Sequence, residues 1–485
     1  MANEVILRTT WGRDPLPAGG DGQLAYLLVD LTVDAQAAGP AVATPLNLAL
    51  VLDHSGSMGG PKLEHLKSAV QRVIEALRPD DVFSVTVFDE HAKVLVPAQP
   101  ATDPAALYAP VAGLREAGGT QMSTGLRMGL DEARRFAGPD RISRILLLTD
   151  GQTWGDADTC VALAAEAGRL GVPISAFGVG ADEDWSVTLL DKIAQAGGGQ
   201  ADYIAQPADM LTSFRKTVQT MQETLVQHVT LTLQLATGLG VRAVYRITPM
   251  LSRLNPQADG AGAVTASLSD LGKDAPATVL FELTVPPRRP GQYRLGRAVA
   301  RYALPGSPDA PGEVDQDVLA SFAAGLPSAA GNPRVMNLVE KATAFRLQTR
   351  ALEEAEIGNV TAASRNLRSA ATRLLSLGEV DLANQATQEA ERLDRQGQMS
   401  AAGTKKLTFA TRKLAAEDLG SIAPGTPRPP AAPAEIATQH VSGPATPPPA
   451  MAPAHAEVGN PAAAPSPNGT TTDAPPPAGQ PMSGT

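Results

Sequence analysis

LNLALVLDHSGSMGGPKLEHLKSAVQRVIEAL (46–77) decides how this chain folds. Leu46 to Asp53 is an apolar run closed by a carboxylate, the pattern of a strand buried on both faces. A turn follows. From Lys62 to Leu77 the apolar residues Leu63, Leu66, Ala69, Val70, Val73, Ile74 and Leu77 recur at helical spacing and leave one wet face. A buried strand feeding an amphipathic helix is the repeating unit of a parallel α/β sheet.

The unit repeats downstream. DVFSVTVFD (81–89), AKVLVP (92–97), RILLLTD (144–150), PISAFGVG (173–180) and DYIA (202–205) read as strands. Met122 to Phe136, Ala157 to Leu170, Trp185 to Ala196 and Pro207 to Val226 read as helices. The expectation is an α/β domain over 46–226, a doubly wound, mostly parallel, Rossmann-like sheet. From His228 the alternation stops. HVTLTLQLA, VRAVYRITP and TVLFELTVPP are strands separated by turns. One earlier strand, Gln23 to Val33, has no neighbour in the central domain. Residues 1–45 are therefore expected to join 227–325 in a β-sandwich, with the central domain inserted between them. Residues 332–419 are helical: Asn337 to Ile357, Val360 to Leu377, Glu379 to Gln396 and roughly Ala402 to Leu414. Gly358, Gly378 and Gly397 stand at the breaks as C-caps. The remainder, 420–485, holds 17 of the 41 prolines from Ser421 on and is expected to be disordered, since it has too little apolar surface to offset chain entropy.

Bulk properties exclude several functions. With 50 acidic and 40 basic residues the net charge is -10, which repels phosphate backbones and argues against nucleic-acid binding. The one cysteine, Cys160, rules out an intrachain disulfide and a Cys-rich zinc site, and reads as a small buried residue. No apolar run reaches about 18 residues, so no membrane span is expected. The start, MANEVILRTTWGRD, lacks a secretory pattern, and the expected location is cytoplasmic.

Chemistry gathers at strand ends, where open α/β sheets bind ligands. Asp53, Ser55 and Ser57 put one carboxylate and two hydroxyls at alternating positions around Gly56. Such an oxygen-only set suits Mg²⁺, Mn²⁺ or Ca²⁺ better than zinc or copper. The same residues would also serve merely to cap the helix beginning near Pro61. Thr120, after Gly118-Gly119, reads as an N-cap when taken alone, and Asp150 in LLLTDG as a turn residue. Together they place two carboxylates at two buried strand ends with a hydroxyl loop between them.

DHSGSMGG, AGGTQMSTGL and ILLLTDGQT, in this order and context, resemble the metal-ion-dependent adhesion site of von Willebrand factor A domains. The resemblance spans about residues 46–226, and the five-residue pattern Asp53, Ser55, Ser57, Thr120 and Asp150 is intact. It implies a divalent cation held by the hydroxyls of Ser55, Ser57 and Thr120, with Asp53 and Asp150 acting mainly through water. It also implies an open position for the Asp or Glu of a partner protein. VYRITPM (244–250), LFELTVPPRRPGQYRL (280–295), NPRVMNLVEKATAFRLQTRAL (332–352) and LRSAATRLLSLGE (367–379) extend the resemblance to bacterial multi-domain proteins of this kind. Some of those belong with Ser/Thr kinase and phosphatase signalling.

Other readings rank behind a binding scaffold that is not an enzyme. His54 and Ser55 beside Asp53 are too close in sequence to converge as a hydrolytic triad, and His54 reads as an exposed loop residue. GSMGGPK (56–62) lacks phosphate-loop spacing, so a chelatase-like or ATP-driven machine would use this chain only as a non-ATPase component. A metal-assisted hydrolase would need a convergent base, and none is evident. Asp182-Glu183-Asp184 resembles the start of a calcium loop but has Val187 where glycine is required. Trp154 reads equally as an exposed rim residue or as packing for its loop. The tail reads first as a spacer, with its PPP runs and its Thr-Pro pairs at Thr426 and Thr446 as places where a second protein would be recruited.

Overall fold

The computed structural model describes residues 4–34, 44–180, 185–260, 262–268, 270–273, 275–305, 307–325 and 331–420. The Pro-rich tail from Ser421 and the acidic turn at 182–184 lie outside the described residues.

The apolar runs become the central sheet. Six strands stand in the order Ala92–Pro100, Val82–Phe88, Leu46–Asp53, Ile142–Thr149, Ile174–Val179, Gln200–Ile204. All neighbours are parallel except the edge strand Ala92–Pro100. Leu46–Asp53 and Ile142–Thr149 are buried at every position because helices cover both faces. Leu48, Leu50 and Leu52 face helices Pro61–Ala76 and Met210–Gln222. Ala49 and Val51 face Met122–Arg134 and Ala157–Arg169. Each large apolar side chain buried this way contributes about 1.5–3 kcal/mol. Cys160 is a buried thiol on this second face, and burial pushes its pKa up to about 12.

Two sheets flank the domain, antiparallel except where Leu16–Pro17 pairs in parallel with Ser307–Ala323. One runs Val5–Trp11, Gln23–Val33, Ala277–Val285, Gly240–Arg246, Ser252–Leu254. In the other, Thr224–Leu235 lies between Ala263–Ser267 and Gly291–Leu304, with Ser307–Ala323 beyond. Leu27, Val29 and Leu31 of the first meet Leu231, Leu233 and Leu295 of the second in one core. In and beside the sandwich, two features differ from the sequence reading. Val5–Trp11 is a strand, paired along its length with Gln23–Val33. The closing helix ends at Gln222 and not at Val226, because Thr224 and Val226 bury alternate side chains and pair with Gly272 and Leu271. Arg144 of the central sheet and Asp270 of the sandwich, 3.2 Å apart and mostly buried, tie the two units.

The architecture makes a deletion informative. Removing residues 1–40 takes out Gln23–Val33 and uncovers Val279, Phe281 and Leu283, all fully buried. We expect that variant to aggregate, whereas a 44–226 fragment keeps its own two-faced core and gives a cooperative melt by circular dichroism. A soluble, cooperatively melting deletion variant would overturn the sandwich assignment.

Four helices close the described chain: Pro333–Glu356, Val360–Ser376, Val380–Gln396 and Ala401–Gly420. Left-handed glycines, Gly358 at φ 78° and Gly378 at φ 84°, terminate the first two. The first helix covers the outer face of the five-stranded sheet, with Val335, Leu338 and Phe345 against Leu28, Tyr245 and Leu280. Arg334 grips Asp30 with two nitrogens at 2.7 and 2.8 Å. The last helix reaches back to the central domain, where Phe409 packs on Trp185 and Tyr203. Lys413 pairs there with Asp202 at 2.9 Å. Among the described residues no helix is long and apolar enough to cross a membrane.

Candidate metal centre

The site lies where the strand order reverses. Leu52 and Leu148 are register partners on adjacent parallel strands, so Asp53 and Asp150 leave the sheet side by side. At such a switch point the connections diverge to opposite faces and leave a crevice. The Ser55 and Ser57 hydroxyls stand 3.2 Å apart, and Ser57 donates to Asp150 Oδ1 at 2.6 Å. Asp53 is fully buried. Its Oδ1 accepts the Ser55 N–H at 2.8 Å and its Oδ2 the Thr149 hydroxyl at 2.6 Å. Gly118, at φ 57°, turns the third segment inward, and its carbonyl accepts the Gly56 N–H at 3.2 Å. A Cβ placed on Gly151 would lie 3.5 Å from Thr120 Oγ1, so that hydroxyl sits over the turn after Asp150. All five residues read from the sequence therefore converge on one end of the sheet.

Burial pushes the Asp53 carboxyl above the ordinary carboxylate range. Hydrogen bonds from Ser55 and Thr149 oppose the shift, and the neighbouring charge of Asp150 adds to it. Asp150, also buried, is met by Lys62, whose Nζ lies 2.6 Å from Oδ2 and 3.1 Å from the Ser57 carbonyl. The Lys62 ammonium thus sits against Asp150, whose charge also acts on the buried Asp53. An octahedral cation with oxygens at about 2.0–2.1 Å sets neighbouring oxygens about 3 Å apart. The spacings of 3.2 and 2.6 Å among Ser55, Ser57 and Asp150 bracket that edge. Among the described residues there is no group of three or more His, Cys, Asp or Glu suited to a metal. The donors fit a hard cation held by hydroxyls and few carboxylates, which keeps positive charge for an incoming anion.

Several contributors were not legible in the sequence. Lys62 reads as a helix-surface residue, and nothing local shows that it turns back to Asp150 across 88 positions. Thr149 reads as a strand end. Asp156 accepts the Ser123 N–H at 2.7 Å and the Thr153 hydroxyl, and Thr153 accepts the Met122 N–H at 3.0 Å. These bonds fix the helix after Thr120 to the loop after Asp150. His54 is half-buried and not an exposed loop residue, because its Nδ1 lies 2.9 Å from the Arg115 carbonyl. Trp154 takes the exposed alternative, with 80% of its surface open.

A model of the von Willebrand factor type A domain matches residues 47–222. Those residues are a von Willebrand factor type A (VWA) domain. Residues 333–417 match the Sll0103-like, C-terminal alpha-helical domain. The Synechocystis sp. protein sll0103 is 36% identical over 267 residues, covering 54% of this chain and 63% of its own length. Escherichia coli YfbK is 26% identical over 192 residues, covering 39% and 33%. Human inter-alpha-trypsin inhibitor heavy chain H4 is 27% identical over 254 residues, covering 49% and 27%. The chain thus spans less than two thirds of each of these relatives. Among solved structures, a von Willebrand factor type A protein from Catenulispora acidiphila superposes with a TM-score of 0.69 at 20% identity, over 85% of this chain and 97% of that one. The ArnB paralog VWA2 from Sulfolobus acidocaldarius does so with a TM-score of 0.55 at 15% identity, over 85% and 99%. Both likenesses concern the fold and extend well beyond the VWA domain.

Proposed function

We propose that the VWA domain binds one divalent cation, Mg²⁺ or else Mn²⁺ or Ca²⁺, at Asp53, Ser55, Ser57, Thr120 and Asp150. Through that cation it captures an Asp or Glu side chain of a protein partner. The observation that carries this is the hydroxyl set at the switch point, backed by buried carboxylates. Trp154, exposed four positions after Asp150, supplies an aromatic anchor on the rim. Binding suits the site better than catalysis. Both carboxylates are engaged by Ser55, Ser57, Thr149 and Lys62, and the nearby imidazole of His54 lies against the Arg115 carbonyl and Asp89. The sandwich and helical bundle then act as the scaffold that presents the domain. We place this scaffold in a bacterial cytoplasm, within a Ser/Thr kinase and phosphatase system. Service as the non-ATPase part of an ATP-driven machine is the second reading.

Partner capture tests the proposal. Immobilised full-length protein is expected to retain a set of proteins in Mg²⁺ that EDTA releases and that Trp154→Ala diminishes. Recovery of the same set in Mg²⁺ and in EDTA would remove the cation from the account. An ATPase dominating the Mg²⁺-dependent set would favour the second reading.

A further inference from the structure

The loop that follows Asp150 leads from the cation site to a cleft. Gln152, two residues after Asp150, lines it. Trp185 and Val187, at the start of helix Val187–Ala196, line it from the VWA domain. Leu352, near the end of helix Pro333–Glu356, lines it from the helical domain, with Met399 and Ala401 at the turn into the last helix. Beside them the Thr188 hydroxyl donates to the Glu356 carboxylate at 3.1 Å and ties the two domains together. The cleft measures about 390 Å³, within the size range of pockets that take up a ligand group.

What the cleft offers is ring and aliphatic surface. Trp185 is buried, and the Lys405 ammonium lies over its ring, 4.4 Å from the centroid. The charged groups on the lining are thus engaged, Lys405 by the indole and Glu356 by Thr188. Met399 is unbranched and polarisable, and such a side chain adapts to occupants of different shape. The surroundings are apolar too. Among the described residues the two most exposed large apolar side chains are Trp154, at 80%, and Ile357, at 77%. Trp154 stands two positions after Gln152 and Ile357 directly after Glu356, so each extends a segment that lines the cleft. Apolar side chains held out in water around one concavity mark a contact site.

We propose that the cleft receives a large apolar side chain, Leu, Met, Phe or Trp, from the same protein segment that places its Asp or Glu on the cation. This occupant presupposes carboxylate capture at the cation and adds a sequence requirement to it. Reach sets the spacing. Two residues of chain span at most about 7 Å, so the backbone of Gln152 lies within that distance of Asp150. An extended segment advances about 3.3 Å per residue. With its acid on the cation, its residue two to four positions away stands over the cleft. The two contacts fall on separate parts of the fold, the carboxylate on the strand-end turns and the apolar group on the seam between the VWA and helical domains. Only the partner's backbone links them, so an isolated carboxylate engages the cation alone. The helical domain thereby becomes part of the recognition surface as well as its support.

A phage-displayed library of random peptides with a fixed central Asp, selected on immobilised full-length protein in Mg²⁺ and eluted with EDTA, reads this requirement directly. A large apolar residue is expected at one preferred position two to four residues from the Asp. A synthetic peptide of the leading sequence should lose about 10- to 100-fold in affinity when that residue becomes Gly, the range for withdrawing a well-buried apolar side chain. Ala401 is exposed and lines the cleft, so Ala401→Trp puts a ring into it without entering the core. In that variant the two peptides should bind alike, at the level of the Gly peptide on wild type. Met399→Ala, which removes one wall, should shrink the difference between them. EDTA-eluted peptides with no preferred apolar position, or a Gly penalty undiminished in both variants, would rule out the cleft and leave cation capture standing. Absence of any Mg²⁺-dependent enrichment would sink cation capture itself, and the cleft with it.

Discussion

Asp53→Asn is expected to lower divalent-cation affinity by at least about 100-fold, beyond the 10- to 100-fold typical of residues that only support metal ligands. The substitution keeps an amide oxygen for the Ser55 N–H and removes the one charge that burial penalises most at this site. The metal-free protein should therefore melt no lower than wild type, while the Tm rise on adding Mn²⁺ disappears. Calorimetric titration with Mn²⁺ and paired melts check both halves. Wild-type affinity in the variant would show that Asp53 serves only the turn through Ser55 and Thr149.

Lys62→Met is expected to act in the opposite direction. The Lys62 ammonium is already on Asp150 Oδ2 and the Ser57 carbonyl, beside the oxygens a divalent cation would use. Two cations a few ångströms apart repel by about 4 kcal/mol per unit charge pair at an effective dielectric near 20. Binding of the metal must therefore displace or tolerate the ammonium. Methionine keeps the aliphatic stem and removes the charge. Cation affinity should rise by roughly 5- to 150-fold, the usual span for coupled ligands. Without metal, Asp150 loses its counter-charge, and the variant should be less stable by about 1–3 kcal/mol. Mn²⁺ should restore that loss. Unchanged or weaker affinity would instead make Lys62 a residue that orients Asp150 for the metal.

The sequence shows its parallel strands because both of their faces are buried. Leu46–Asp53 and Ile142–Thr149 stand as continuous apolar runs that no half-exposed strand would produce. Val5–Trp11 is harder to read, since Arg8 is exposed, Thr9 and Thr10 are only half-buried, and the three polar residues in a row dilute the alternation. Helix Pro104–Ala112 is short, with Pro110 inside it, and reads as loop. The residues of the candidate cation site were legible because three short motifs carry them. Their partners were not. Lys62 meets Asp150, and Thr149 meets Asp53, across 88 and 96 positions, and such pairings are created by the strand order.

The junction after the closing helix has a mechanical meaning. Helix Met210–Gln222 lies on the VWA sheet, and after Glu223 alone the chain enters strand Thr224–Leu235, in the interior of its sheet. No slack separates the two. Thr224 and Val226 pair first with Gly272 and Leu271, and the register shifts between Gln227 and Thr230, where His228 stands at φ 53°. From Thr230 the strand is held on both sides, by Ala263–Ser267 and Gly291–Leu304. The VWA domain is thus joined to the sandwich through a one-residue seam at Glu223 and braced beside it by the Arg144–Asp270 pair.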